Sequence, residues 1–264
     1  LEVLKGQGVK VLIDPNLSKL KSKKISLSNE KEIIKESELL IAIGGDGTML
    51  NCSRKYGSKG IPVLGINLGN LGFLTDINPK ELSSSLIEVA QGNYKEDERF
   101  FLEVMIQRSG KRLLALNEVV IHSGEIAQLI EFDLSINNSF VYRQKADGLI
   151  LSSPTGSTAY SLSGGGPIIH PEVQAISVIP MYPHSLASSP FVINADSCIK
   201  VEIKDKSKKS QLCLDGSVTI NIKNNEEIIV SKSNEVLNLI HPLGHDFFNA
   251  CRNKLGWGLG ISGR

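Results

Sequence analysis

Gly44-Gly45-Asp46-Gly47-Thr48 sets one carboxylate among three glycines, directly after the apolar run Leu39–Ile43. An apolar run without polar alternation reads as a strand covered on both faces of a parallel sheet. Ligands of such sheets gather at the carboxyl ends of the strands. Glycines without Cβ let backbone amides approach a bulky anion. Thr48–Tyr56 reads as a helix, and its start adds free N–H donors and a positive dipole end. Asp46 at the strand tip is placed to hold a metal or to accept a proton. The chemistry on offer is phosphate binding beside an acid–base group. A plain Gly-Asp-Gly turn with a solvated aspartate is the alternative.

A second segment is as dense in chemistry. Asp147–Leu151 runs as a strand into Ser152-Ser153-Pro154-Thr155-Gly156-Ser157-Thr158-Ala159-Tyr160-Ser161-Leu162-Ser163, followed by Gly164-Gly165-Gly166-Pro167. Thr155 or Ser157 can cap a short helix through Ser163, which the glycines and proline end. Six serine and threonine hydroxyls between Ser152 and Ser161 suit ribose and phosphate oxygens; a well-capped surface helix is the alternative. Asn117-Glu118 interrupts the apolar strand Leu113–Ile121. A polar pair there must find partners or lose solvation without return. An amide and a carboxylate read adenine and ribose hydroxyls well, and a structural edge-strand pair is an equal alternative. Leu214-Asp215-Gly216-Ser217 reads as a hairpin turn.

These groups need a scaffold. The first third alternates strand and helix: Val9–Ile13, helix Lys31–Ser37, Leu39–Ile43, helix Thr48–Tyr56, Ile61–Ile66, helix Pro79–Gln91. That rhythm predicts βαβ units and a parallel sheet. The Gly- and Asn-rich stretch Asn67–Leu74 must turn, and offers a second lip to the same crevice. From about Arg99 the chain reads as short strands separated by turn signals: 101–107, 112–122, 129–136, 139–144, 148–151, 175–179, 198–203, 211–214, 218–222 and 226–231. His241–Trp257 turns helical. The expected fold is an α/β N-terminal domain with a parallel sheet (1–98), an all-β domain of two packed sheets, a sandwich (99–240), and a C-terminal helical segment (241–264) returning to the first domain. The site is expected where the two domains meet.

Bulk properties exclude several classes. A formal charge of +1 gives no global pull toward nucleic acid or an anionic membrane. Lys19, Lys21, Lys23 and Lys24 read as a solvated loop. No apolar run reaches membrane-spanning length, and no secretory signal is visible. Cys52, Cys198, Cys213 and Cys251 lack metal-type or redox spacing and read as reduced core residues of a cytoplasmic protein. The five histidines show no ligand spacing. His170 and His184, near prolines, read as structural or loop residues. Neither a dinucleotide fingerprint nor a P-loop is present. Leu1 in place of Met reads as a fragment or trimmed chain, with Leu1–Lys5 the tail of an earlier helix.

Taken together, these motifs resemble the NAD kinase family, bacterial type, over nearly the whole chain. The resemblance rests on Gly44–Thr48, the turn Asn70-Leu71-Gly72-Phe73-Leu74-Thr75-Asp76, Asn117-Glu118, Asp147–Pro167 and Pro183-His184-Ser185-Leu186. It also rests on Asn238-Leu239-Ile240-His241-Pro242 and Lys254-Leu255-Gly256-Trp257. The Gly-Gly-Asp-Gly-Thr run alone is shared with diacylglycerol, sphingosine and phosphofructo-kinases. Members of the family begin with a strand before the helix that Leu1–Lys5 continues, so the first sheet here is expected to lack one strand.

The resemblance implies phosphoryl transfer from ATP to the 2′-hydroxyl of the adenosine ribose of NAD, giving NADP. Asp46 matches the general base. Asp46, Gly47, Asn117, Glu118, Lys145, Asp147 and the stretch Thr158, Ala159, Tyr160, Ser161, Leu162, Ser163 match binding positions. Lys145, Asn51, Leu68 and Ser189 stand where arginine is frequent in the family. A divalent ion, Mg²⁺, is implied on the donor phosphates, with no metal ligands assigned. A homodimer or homotetramer is implied, with NAD and ATP as partners and neither nucleic acid nor membrane. Two rivals stay open: a lipid or sugar kinase with the same Gly-Gly-Asp-Gly run, and a non-catalytic NAD-sensing protein.

Overall fold

A computed structural model describes residues 1–20, 27–69, 72–75, 77–124, 128–185, 188–204 and 210–257. Lys21, Lys23 and Lys24 of the expected loop, Asn70, Leu71 and Asp76 of the turn, and Leu186 lie outside the described residues. The chain divides into two units, Leu1–Glu98 with Leu237–Arg264, and Arg99–Val236.

The first unit contains α1 (Glu2–Gly6), α2 (Glu30–Glu36), β1 (Leu40–Ile43), α3 (Asp46–Lys55), β2 (Val63–Ile66) and α4 (Leu82–Ala90). β1 pairs in parallel with β2, Leu40 opposite Val63 through Ile43 opposite Ile66. The third strand comes from the far end of the chain. Leu239 and Ile240, near the end of the strand Glu227–His241, pair in parallel with Val63 and Leu64. Alternate residues of β1 feed two apolar layers. Ile41 packs with Leu64, Leu86, Val89 and Ile240, while Leu40 packs with Ile33, Tyr56 and Ile61. Covering on both faces explains the unbroken apolar run. Asn29 caps α2 by accepting the Glu32 N–H at 3.0 Å.

The expected strand Val9–Ile13 does not form a ladder. Leu12 is held by packing against Ile33, Tyr56 and Ile61, and Ile13 O accepts the Ser28 N–H. The segment is thus anchored by side chains and by backbone bonds at its two ends, the Val9 N–H to Leu4 O and the Ser28 N–H to Ile13 O, rather than by a neighbouring strand.

The second unit carries β3 (Lys95–Ile106, entering from the first unit), β4 (Lys111–Ala115), β5 (Glu118–His122), β6 (Ile130–Ile136), β7 (Ser139–Ala146), β8 (Gly148–Ser152), the short helix α5 (Tyr160–Ser163), β9 (Ala175–Met181), β10 (Phe191–Asn194), β11 (Ile199–Ile203), β12 (Ser210–Leu214), β13 (Val218–Ile222) and most of β14 (Glu227–His241). One sheet runs β14-β11-β6-β7, with β3 joined to β14 and to β4; the other runs β10-β9-β8-β5-β12-β13. Phe132, Leu134, Val201 and Val230 of the first sheet and Val119, Ile121, Leu149 and Val178 of the second share one buried core. This is the expected two-sheet sandwich.

Three strand expectations need correction. The run 112–122 breaks into β4 and β5 at Leu116-Asn117. β14 extends to His241, because the polar residues Ser231–Glu235 that suggested an end face outward or bond locally, as Ser233 does with the Glu235 N–H. β10 escaped notice as a four-residue edge strand after Pro190. The final helix, α6 (Phe247–Leu255), returns to the first unit, capped by Asp246 accepting the Phe248 N–H at 2.9 Å. No described helix is long and apolar enough to cross a membrane. The four cysteines are free, but only Cys251 is a buried core residue; Cys52 and Cys213 are half-buried and Cys198 is exposed.

Candidate active site

In the first unit the helix after the glycines starts two residues earlier than expected. Gly45 is the extended N-cap and Asp46 is the first residue of α3. Its carboxylate therefore sits at the positive helix end. From there it faces the 72–75 turn: Asp46 Oδ2 accepts the Phe73 N–H at 3.0 Å, and Oδ1 accepts the Leu74 N–H at 3.2 Å and the Thr75 hydroxyl at 3.1 Å. Asn67 Nδ2 donates to Thr75 Oγ1 at 2.8 Å, so the hydroxyl hydrogen is left to point at Asp46. Gly72 permits this approach, since a Cβ there would overlap Asp46 Oδ1 and Thr75 Oγ1. A carboxylate has roughly four acceptor positions. Three are filled here, and the side chain is still 34% exposed. The group is fixed in direction with capacity to spare.

A cation closes the site. Lys254 Nζ of α6 lies 3.8 Å from Asp46 Oδ2 and 4.4 Å from the centre of the Phe73 ring. Burial pushes the Lys254 ammonium below its usual range, and the Asp46 carboxylate partly offsets this. Sequence reading grouped Lys254 with a terminal motif but gave it no place. Nothing local in Lys254-Leu255 signals a partner two hundred residues earlier.

In the second unit the break between β4 and β5 brings together a second set of polar groups. The turn Leu214–Ser217 is the expected hairpin turn, with Asp215 and Gly216 both at positive φ (47° and 64°). That conformation suits the right-handed twist of the strands it joins. It also turns Asp215 inward. Its carboxylate accepts the backbone N–H groups of Leu116 (3.0 Å), Asn117 (2.8 Å) and Glu118 (3.2 Å). The Asn117 and Glu118 side chains are thereby left for other partners. They are 8% and 5% exposed, and Asn117 Oδ1 and Glu118 Oε2 have no hydrogen-bond partner among the described residues. Unmet buried acceptors are costly, which favours a ligand that supplies donors.

The hydroxyl-rich segment folds against this break. Ser153 Oγ donates to Leu116 O at 2.5 Å, and Gly156 lies so close that a Cβ would overlap Asn117 O. The Tyr160 N–H donates to the Glu118 carboxylate. Glu118 is nonetheless pushed up to about 7, by burial first and by the Asp215 carboxylate second, with the Tyr160 bond pulling the other way. The expected caps do not form. Thr155 Oγ1 instead accepts from the buried Arg99 Nη1 at 3.2 Å, and Ser157 Oγ bonds Pro154 O and the Ile169 N–H. Both hydroxyls serve tertiary contacts because Thr155–Thr158 is a 3₁₀ turn joined to α5 rather than one helix. Thr158, Ala159 and Leu162 are half-buried, Tyr160 and Ser163 exposed, and Ser161 buried.

Lys145, near the end of β7, and Asp147, between β7 and β8, stand elsewhere, where the chain passes from one sheet to the other. Lys145 lines a cleft of ≈ 670 Å³ with Arg143, Gln144, His184 and Ser188, and its carbonyl accepts the His184 N–H at 2.9 Å. Gly47 is exposed at the start of α3. The structure therefore gathers Asn117, Glu118 and the Thr155–Ser161 segment, and separately gathers Asp46 with the 72–75 turn. Beyond Lys254, Asp215 and Arg99, sequence reading missed a histidine pair, His241 and His245, whose rings stack at 3.8 Å beside Asp97. Four residues apart across a proline-started turn, they show no ligand spacing in the sequence.

Known proteins resemble this chain in sequence and fold. The profile described as "ATP-NAD kinase N-terminal domain" matches residues 7–94, and "ATP-NAD kinase C-terminal domain" matches residues 116–242. The chain belongs to the NAD kinase family. It is 42% identical over 258 residues to an NAD kinase of Photorhabdus laumondii, across 96% of this chain and 88% of that one. Among solved structures, yeast NADH kinase complexed with NADH superimposes with a TM-score of 0.89 at 28% identity, covering 98% of this chain and 83% of that chain. An NAD kinase from Archaeoglobus fulgidus in complex with ATP gives 0.71 at 25% identity, over 93% and 96%.

Proposed function

We infer that this chain transfers a phosphoryl group from ATP to the 2′-hydroxyl of the adenosine ribose of NAD, producing NADP. The observation that carries the reading is the buried polar pair Asn117-Glu118, held open by Asp215 and lined by a hydroxyl-rich turn. A lipid or sugar acceptor has no use for that set, whereas an adenosine does.

We assign the roles as follows. Asp46 takes the proton of the 2′-hydroxyl as the oxygen–phosphorus bond forms; the bond from the γ-phosphorus to the ADP oxygen breaks, and its electron pair leaves with ADP. An alcohol is a poor nucleophile at neutral pH, so a positioned base is worth roughly 10²–10⁴-fold. The donors from Phe73, Leu74 and Thr75 fix the direction of that base, and positioning dominates when the transition state is loose. The exposed amides at the start of α3, including that of Gly47, suit donor phosphate oxygens. Asn117, Glu118 and Thr158–Ser163 bind the dinucleotide, with Lys145 and Asp147 at its periphery. Mg²⁺ commonly takes one or two carboxylates, substrate phosphates and waters rather than a protein cage. The one acceptor position left on Asp46 goes to the proton, so such an ion would be held by donor phosphates and waters, where it would supply charge neutralisation. The same reading makes the enzyme cytoplasmic and a homodimer or homotetramer, which light scattering measures directly.

The test is an acceptor panel with labelled ATP and Mg²⁺: NAD, NADH, a diacylglycerol and a hexose. Label in NADP is the expected outcome. Label in the lipid or sugar instead, or tight NAD binding with no label transferred, would overturn the reading.

A further inference from the structure

The end of β14 and the turn before α6 carry a second cluster of chemistry, which phosphoryl transfer does not use. His241 closes β14 and is 1% exposed, with Nε2 3.7 Å from Asp97 Oδ2 on β3. His245 follows a turn in which its N–H bonds Pro242 O at 3.0 Å, and its ring stacks on His241 at 3.8 Å with 15° between the planes. Each of the three residues offers a ligand atom, and these atoms all lie within 4.8 Å of one another. All three belong to the first unit.

We propose that Asp97, His241 and His245 bind one divalent transition-metal ion, zinc by preference. Two imidazole nitrogens and one carboxylate oxygen form a borderline donor set that suits Zn²⁺, whereas Mg²⁺ and Ca²⁺ take oxygen ligands. This ion is therefore chemically distinct from one that accompanies ATP. Zinc–ligand bonds of about 2.0–2.2 Å require the donor atoms to draw closer than they stand now. His245 supplies that movement. It is half-buried in a turn rather than fixed in a strand, and its ring leaves the stack to aim its lone pair at the ion.

The position gives the ion a consequence. His245 precedes the N-cap of α6, and Lys254 near the other end of the same helix lies against Asp46. Nine residues of helix rise about 13 Å. Zinc at the leading turn would tie α6 to β14 and β3 and so hold Lys254 over the carboxylate, without reaching the nucleotide itself.

The experiment is titration of the metal-stripped chain with Zn²⁺ against a chromophoric chelator, and with Co²⁺ read by its visible d–d absorption. The same titrations are run on His245→Ala and Asp97→Asn. One equivalent of Zn²⁺, a tetrahedral-type Co²⁺ band without sulfur charge transfer, and at least about 100-fold weaker binding in His245→Ala are expected, a larger loss than an outer-shell group gives. Circular dichroism of the variants separates lost binding from lost folding. Absence of a stoichiometric site in the parent chain, or equal binding by a folded His245→Ala, would overturn the proposal. Neither readout depends on NADP formation, so it fails or stands apart from the kinase reading.

Discussion

Asp215 accepts the backbone N–H of Asn117 at 2.8 Å from a hairpin turn 98 residues further along the chain. The same carboxylate takes the N–H groups on either side. It satisfies a strand break that would otherwise leave three buried donors unmet, and so frees the Asn117 and Glu118 side chains for a ligand. Asp215→Ala should destabilise the protein by at least about 2 kcal/mol in urea unfolding, since each orphaned buried donor costs about 1–3 kcal/mol. It should also raise KM for NAD more than it lowers kcat. A loss of stability with KM unchanged would make Asp215 a purely structural residue.

Asp46→Asn keeps the size of the side chain and removes the base. Turnover should fall by at least about 10²-fold with NAD affinity little changed. Its amide group would also face donors from the 72–75 turn, so Thr75→Val is the control. That variant keeps the carboxylate and removes one hydroxyl donor, and should lose less than about tenfold. Equal losses in the two variants would mean that turn geometry, not proton transfer, is what Asp46 provides.

Asn117→Ala removes an amide whose Oδ1 has no partner among the described residues. NAD binding should weaken by about 1–3 kcal/mol by calorimetry, because the ligand loses a buried partner. Thermal stability should barely move. The reverse pattern, a lower melting temperature with unchanged affinity, would return this residue to a structural role.

Glu118 gives a pH signature. Its carboxyl holds a proton up to about pH 7 in the folded chain, against 4.5 ordinarily. Between those values the folded state binds more protons than the unfolded one, so stability falls as pH rises through the window. Below it both states are neutral, and above it both are ionised. Glu118→Gln should therefore leave stability unchanged near pH 4 and raise it above pH 7 by up to on the order of 3 kcal/mol. A gain of equal size at both pH values would show that Glu118 titrates normally.

Much of this was legible in advance because the signals are local. The apolar run 39–43, the glycines after it and the turn chemistry at Asp215-Gly216 each dictate their own conformation. The sandwich showed through β-branched runs such as Val218–Ile222. Three things were hidden for one physical reason, which is that they depend on partners far along the chain. Thr155–Ser163 looks like a capped helix until Arg99 and Ile169 take the Thr155 and Ser157 hydroxyls. The polar residues Ser231–Glu235 look like a loop until β11 and β2 give β14 its neighbours. His241 and His245 look unrelated to Asp97 until β3 and β14 pair.

The third strand of the first sheet is made last. Leu239 and Ile240 complete the pairing begun by Val63 and Leu64, and the whole second unit is encoded between them. A ribosome adds about 5–20 residues per second. Once Glu98 has been added, the first unit must then wait roughly 7–30 s, at that rate, for its remaining strand and for α6. Throughout that interval one edge of β2 presents unpaired backbone groups and an apolar face, as a nascent chain that a chaperone or a neighbouring copy could engage. The all-β unit, encoded without interruption, has no such delay and can finish first.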